Sequence, residues 1–187
     1  KYNSKDANIQ NSAGNIFTQH RNFIAAKACY ERAIALKPNY ALAINNLGII
    51  ALETNHLDNA VEYFKRAIEI NPHYAEAYNN LGTTLTKLNL PEQAVVNYEQ
   101  AIKIKPDFDT AFTQKIHQQA HMCDWVALLE FEKVKDKLGI TGEAVPPFAL
   151  MASEDNPGRQ LLRSQNFAEK KWGLIKVDKH IKPDKQS

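Results

Sequence analysis

The chain has 187 residues, 44% of them hydrophobic, and 23 Lys and Arg against 21 Asp and Glu give a formal net charge of +2. This is the composition of a folded soluble chain, and its interspersed charges exclude the clustered basic face that nucleic-acid binding needs. No apolar run approaches the roughly 20 residues of a membrane span and no signal peptide opens the chain. Two cysteines far apart, Cys29 and Cys123, fit a reduced, cytoplasmic setting.

After a polar lead-in, Lys1 to Asp6, the chain repeats itself at a shift of 34 residues: Ala7–Tyr40, Ala41–Tyr74 and Ala75–Phe108. Gly14, Gly48 and Gly82 share one column, Ala26, Ala60 and Ala94 another, and Tyr30, Phe64 and Tyr98 a third. Pro38, Pro72 and Pro106 close each copy. A fixed period with small, aromatic and proline columns is the mark of a helical repeat array, and 34 is the tetratricopeptide period. The fold class that follows is all-α: a right-handed α-α superhelix with a degenerate C-terminal repeat and an extra C-terminal helix. Each repeat buries its apolar face on its neighbours, so the core grows along a line.

Within the second repeat, Ala41 to Glu53 is expected as helix A, Thr54 to Leu57 as a turn and Asp58 to Ile70 as helix B. The glycine and alanine columns let the two helices approach closely, and the aromatic column fills the gap between successive pairs. Each closing proline ends helix B, while Pro91 stands at a helix start, where its missing N–H costs nothing. Glu62 with Arg66 and Glu99 with Lys103 are spaced as solvated pairs four apart. Cys29, inside a helix, reads as a small buried hydrophobe.

Beyond Pro106 the period decays. Asp109 to His121 is a helix A and Asp124 to Leu138 a helix B, with Cys123-Asp124-Trp125 at the turn. Ile116 takes the glycine column and Ile140 the proline column, as suits a terminal repeat with no copy to pack on. Gly139 to Pro147 reads as a loop and Phe148 to Ala152 as a short apolar patch. Asn156-Pro157 then caps a helix running to Trp172, and Lys176 to Ser187 is a charged tail. A start at Lys1 rather than methionine, with a polar end, reads as a piece of a longer protein.

The A helices of such an array line its concave side. Asn8, Asn11, Ser12, Asn15, Thr18 and Gln19 should face inward from the first repeat. Leu42, Asn45, Asn46, Ile49, Leu52 and Glu53 follow from the second, and Glu76, Asn79, Asn80, Thr83, Thr86 and Lys87 from the third. A carboxamide donates and accepts at once, so a row of them can clamp the N–H and C=O groups of an extended peptide with little regard for its sequence. Asn46, Asn80 and Gln114 stand in one column and form the expected ladder, with Asn11, Ser12, Asn45, Asn79 and Thr83 beside it. An asparagine can equally serve as a cap or a solvated surface group. The expected partner is an extended protein or peptide segment, and pairing with a second copy through the repeats is allowed.

No catalytic constellation is visible. His117 and His121 lie four apart on one helical face, yet the flanking glutamate of a metalloprotease helix is missing and no third ligand is fixed in space. They read as a solvated or core-edge pair, so no metal site is expected. Gly139-Ile140-Thr141-Gly142 is too short for a phosphate loop, and Glu154-Asp155 reads as helix-dipole compensation. No cofactor is expected in this chain.

The stretch Ile104 to Leu138 resembles the last repeat of the O-GlcNAc transferase and Spindly family, with Pro106-Asp107-Phe108 leading through a helix into Cys123-Asp124-Trp125. Pro146-Pro147-Phe148-Ala149-Leu150-Met151, followed by the Asn156 helix, resembles the joint between repeats and catalytic region in bacterial members. The asparagine column resembles that family's concave ladder. The resemblance implies a parent enzyme that transfers a sugar from a nucleotide sugar to Ser or Thr hydroxyls, with these repeats docking its substrate proteins. The family's nucleotide-binding lobes would start beyond Ser187, so this chain alone is expected to be inert. Some members carry a histidine in the joint where Pro146-Pro147 stands, and that contribution does not transfer. A free-standing repeat adaptor is the alternative.

Overall fold

The computed structural model describes residues 6–122 together with 164, 166 and 167, and all secondary structure among them is helical. Seven helices follow in order: α1 (Ala7–Gln19), α2 (Phe23–Leu36), α3 (Ala41–Glu53), α4 (Leu57–Ile70), α5 (Ala75–Lys87), α6 (Pro91–Ile104) and α7 (Asp109–His121). The chain divides into two compact units, Lys1–Ile104 and Lys105–Ser187. In the first unit α1 packs on α2, α3 on α4 and α5 on α6, and each second helix packs on the next first helix. α1, α3 and α5 also touch in succession, which makes them one layer. The second unit contains α7. The Cys123-Asp124-Trp125 turn, the expected helix from Asp124, the loop from Gly139, the Phe148 patch and the charged tail lie outside the described residues. Ser164, Asn166 and Phe167 are helical, inside the helix expected from Asn156 to Trp172.

The turn inside each repeat has one construction. Arg21, Asn55 and Asn89, equivalent by the 34-residue shift, have φ of 56°, 61° and 58°. Around them the chain closes as a Schellman motif: Asn22 N donates to Phe17 O, His56 N to Ala51 O and Leu90 N to Leu85 O, at 2.8–3.0 Å. That closure brings α4 in at Leu57, one residue before the expected Asp58. Asn22 adds a side-chain cap, accepting from Ala25 N at 3.2 Å. At the far end of the first two repeats, Lys37 and Asn71 are extended ahead of the prolines, which stop helix B.

The glycine and aromatic columns meet directly. A Cβ on Gly48 would lie 2.5 Å from Phe64 Cε1, and one on Gly82 2.7 Å from Tyr98 Cε1; Gly14 faces Tyr30 in the same way. Each ring therefore closes against the glycine of its own repeat, and Tyr30 also reaches the next repeat. Tyr30 packs with Ala26, Leu47 and Ile50 in one buried cluster. Ala26, Ala60 and Ala94 are fully buried beside these contacts, and Cys29 is buried and free. Arg66, expected to pair with Glu62, instead reaches the Pro38 carbonyl of the preceding repeat at 3.5 Å. Among the described residues, no helix is long and apolar enough to cross a membrane.

Candidate functional site: the amide face of α1, α3 and α5

Stacking the A helices places the amides of one repeat against those of the next, along a diagonal. Asn46 Nδ2 donates to Asn11 Oδ1 at 3.0 Å and to Asn15 Oδ1 at 3.1 Å. One repeat further, Asn80 Nδ2 donates to Asn45 Oδ1 at 3.1 Å. Position 6 of a repeat thus reaches position 5 of the repeat before it, 35 residues earlier. Asn11 and Asn45 are buried by this contact, with 3% of their surface left, while Asn46 and Asn80 remain half-buried. The ladder is therefore first a seam between repeats. Burying these amides is tolerated because each finds a partner.

The seam uses only half of each position-6 amide. No described residue donates to the side-chain oxygen of Asn46 or Asn80. Each offers a carbonyl acceptor from a partly exposed position, with the NH2 group fixed behind it. Asn79, at position 5 of the third repeat, is half-buried, and its Oδ1 is buried with no hydrogen-bond partner among the described residues. Ser12 is exposed on α1. Gln114 lies half-buried on α7, in the second unit.

Hydroxyls complete the face, as a set that no single column of the sequence reveals. Tyr30 Oη donates to Asn15 Oδ1 at 2.8 Å and lies 3.0 Å from Thr18 Oγ1. In the third repeat Tyr98 Oη donates to Thr83 Oγ1 at 3.4 Å and lies 3.3 Å from Thr86 Oγ1. Thr83 Oγ1 in turn donates to Asn79 O at 3.0 Å. In the second repeat the aromatic is Phe64, and positions 9 and 12 are Ile49 and Leu52. Tyrosine goes with polar partners at 9 and 12, phenylalanine with apolar ones, and that pattern is readable in the sequence once the three columns are compared together. Burial pushes the Tyr30 and Tyr98 phenols above the ordinary tyrosine value, partly offset by bonds from Thr18 and from Thr83 and Thr86. They are neutral donors at any ordinary pH.

Between the first two repeats the face opens into a cavity of about 220 Å³ lined by Asn15, Thr18, Gln19, Tyr30, Asn46 and Ile49. Its lining carries amides, hydroxyls and one aliphatic chain, and no charge. Among the described residues, no group of three or more His, Cys, Asp or Glu could hold a metal.

The tetratricopeptide repeat model matches residues 7–40, 41–74 and 75–108. No curated protein sequence matches the chain. Among solved structures, MamA shares 23% identity at a TM-score of 0.66, covering 72% of this chain and 80% of its own. YrrB, described as a TPR protein with an unusual peptide-binding site, shares 20% identity at 0.65, covering 89% and 87%. A mutant O-GlcNAc transferase from Thermobaculum terrenum shares 17% at 0.61, covering 68% of this chain and 26% of that one. At these identities the likeness is one of fold. With residues 7–108, more than half of its length, matched as three repeats and folded as three helical hairpins, the chain belongs to the tetratricopeptide repeat family.

Proposed function

We propose that the chain is a protein-interaction module that holds an extended peptide along the face of α1, α3 and α5. The observation that carries this is the half-used amide: Asn46 and Asn80 have their NH2 groups tied to the preceding repeat while both side chains stay partly exposed, Asn46 on the wall of the uncharged cavity. Acceptors held in this way are preorganised for backbone N–H groups, which every peptide has, so recognition depends little on sequence. A peptide-binding site in YrrB, a similar fold, supports the reading. The test is a titration with an extended, unstructured peptide against the parent chain and the Asn46→Ala/Asn80→Ala double variant. Weaker binding by the variant is expected; unchanged affinity counts against the amide face as the grip.

A second reading keeps this site and gives it a purpose: docking substrate proteins for a nucleotide-sugar-dependent protein O-glycosyltransferase. Pro106-Asp107-Phe108 followed by Cys123-Asp124-Trp125 favours it, as does the O-GlcNAc transferase among the similar folds. On this reading the catalytic lobes and the nucleotide sugar belong to the parent protein, and this chain is inert alone. A free-standing adaptor accounts for the amide face equally well. The reading frame beyond Ser187 separates them: two Rossmann-like lobes favour the transferase, and a stop codon the adaptor.

A further inference from the structure

Apart from the amide face, α7 presents one cluster of metal-ligating side chains. Four residues of helix bring His117 and His121 onto the same side, and both are exposed. Their rings meet edge to face at a centroid distance of 4.5 Å, with Nε2 of one 3.3 Å from Nε2 of the other. Beyond the edge-to-face contact of the rings themselves, nitrogens this close fit two further arrangements. Either one ring donates its N–H to the other, or both point lone pairs at a shared cation. Zinc–imidazole bonds of about 2.0–2.1 Å meeting at a tetrahedral angle place their nitrogens about 3.3 Å apart. A right-angled, square-planar pair would need them at about 2.9 Å.

We propose that His117 and His121 form a two-imidazole chelate for Zn2+, with water completing the tetrahedron. The sequence argued against a metal here for want of a third protein ligand. The spacing supplies a different warrant, since the second imidazole binds intramolecularly once the first is engaged. Gln118, buried with 6% of its surface exposed, stands behind the pair, its side-chain amide 3.3 Å from His117 Nδ1. When zinc takes both Nε2 lone pairs, the donating ring moves its proton from Nε2 to Nδ1, with no net proton lost. In His117 that Nδ1–H can then donate to the Gln118 carbonyl oxygen after a half-turn of the amide. As it stands, the Gln118 amide N–H at His117 Nδ1 favours the Nε2–H tautomer; turned about, Gln118 is the positioning residue that holds the zinc-binding tautomer.

The test is a Zn2+ titration of the full chain against a chromophoric competitor, in a Cys123→Ser background that removes the thiol nearest in sequence to the pair. One zinc per chain is expected, with His117→Ala and His121→Ala each weakening it by at least about tenfold. Gln118→Leu should weaken zinc binding while both histidines stay in place, and far-UV circular dichroism should show helix content unchanged in every variant. Absence of one-to-one binding, or either histidine variant binding like the parent, would overturn the chelate.

Discussion

A glycine and a ring decide how closely the two helices of a repeat can approach. At Gly48 an added methyl carbon would sit 2.5 Å from Phe64 Cε1, against a ring that is itself fully buried. The ring has no free space to move into, so Gly48→Ala is expected to lower unfolding stability by about 1–3 kcal/mol, read from urea midpoints. An unchanged midpoint would mean that the hairpin spreads at no cost. The hydroxyl pattern gives a second test at the same scale. Phe64→Tyr places an O–H where the equivalent rings find Asn15 and Thr18, or Thr83 and Thr86, but where this repeat has Ile49 and Leu52. A loss of about 1–3 kcal/mol is expected from the unsatisfied hydroxyl. Adding Ile49→Thr and Leu52→Thr should recover part of it; a neutral single change would contradict the pattern. The glycine and aromatic columns were legible as columns because each is a single-position regularity. The tyrosine bonds are not legible in any one column, because they appear only when three columns are compared with one another.

Among the elements, helix positions were largely legible from the period. α3 and α7 coincide with the expected Ala41–Glu53 and Asp109–His121. The start of α4 differs by one residue, since the Schellman closure ends at His56 and the next helix follows at once. What spacing did not convey is how well successive hairpins fill the space between them. A cavity of about 360 Å³ lies between α2, α3 and α4, with Phe23, Leu47, Ile50, Ala51 and Tyr63 among its lining. One repeat later, Ala51, Thr54 and His56 are replaced by Leu85, Leu88 and Leu90. Ala51→Leu is therefore expected to stabilise the chain by about 0.5–2 kcal/mol through cavity filling, seen as a raised thermal midpoint. A lower midpoint would show that the space cannot admit the side chain.

For the whole molecule, buried phenols set the response to alkali. Tyr74 is pushed up to about 12 by burial, with Glu76 and Tyr40 adding to it, and burial also raises Tyr30, Tyr40 and Tyr98. In each the folded state favours the neutral phenol. The stabilisation is complete below the unfolded value of about 10 and is lost as pH rises from there toward 12. Urea midpoints should therefore be steady from pH 8 to 9.5 and fall between pH 10 and 11.5; a flat profile through 11.5 would contradict the burial of these rings. The array and its amide columns were legible in the sequence, but the use of the amides was only half legible. Reading each Asn as a free clamp overlooked the diagonal by which Asn46 and Asn80 reach Asn11 and Asn45, an offset that exists only once the hairpins are stacked. One experiment bears most directly on whether the remaining halves grip a peptide: calorimetric titration of an extended, unstructured peptide into the parent chain and into Asn46→Ala/Asn80→Ala, with helix content monitored in both. Binding at least about tenfold weaker in a variant that keeps its helices is the expected result, and equal affinity in the two proteins would contradict it.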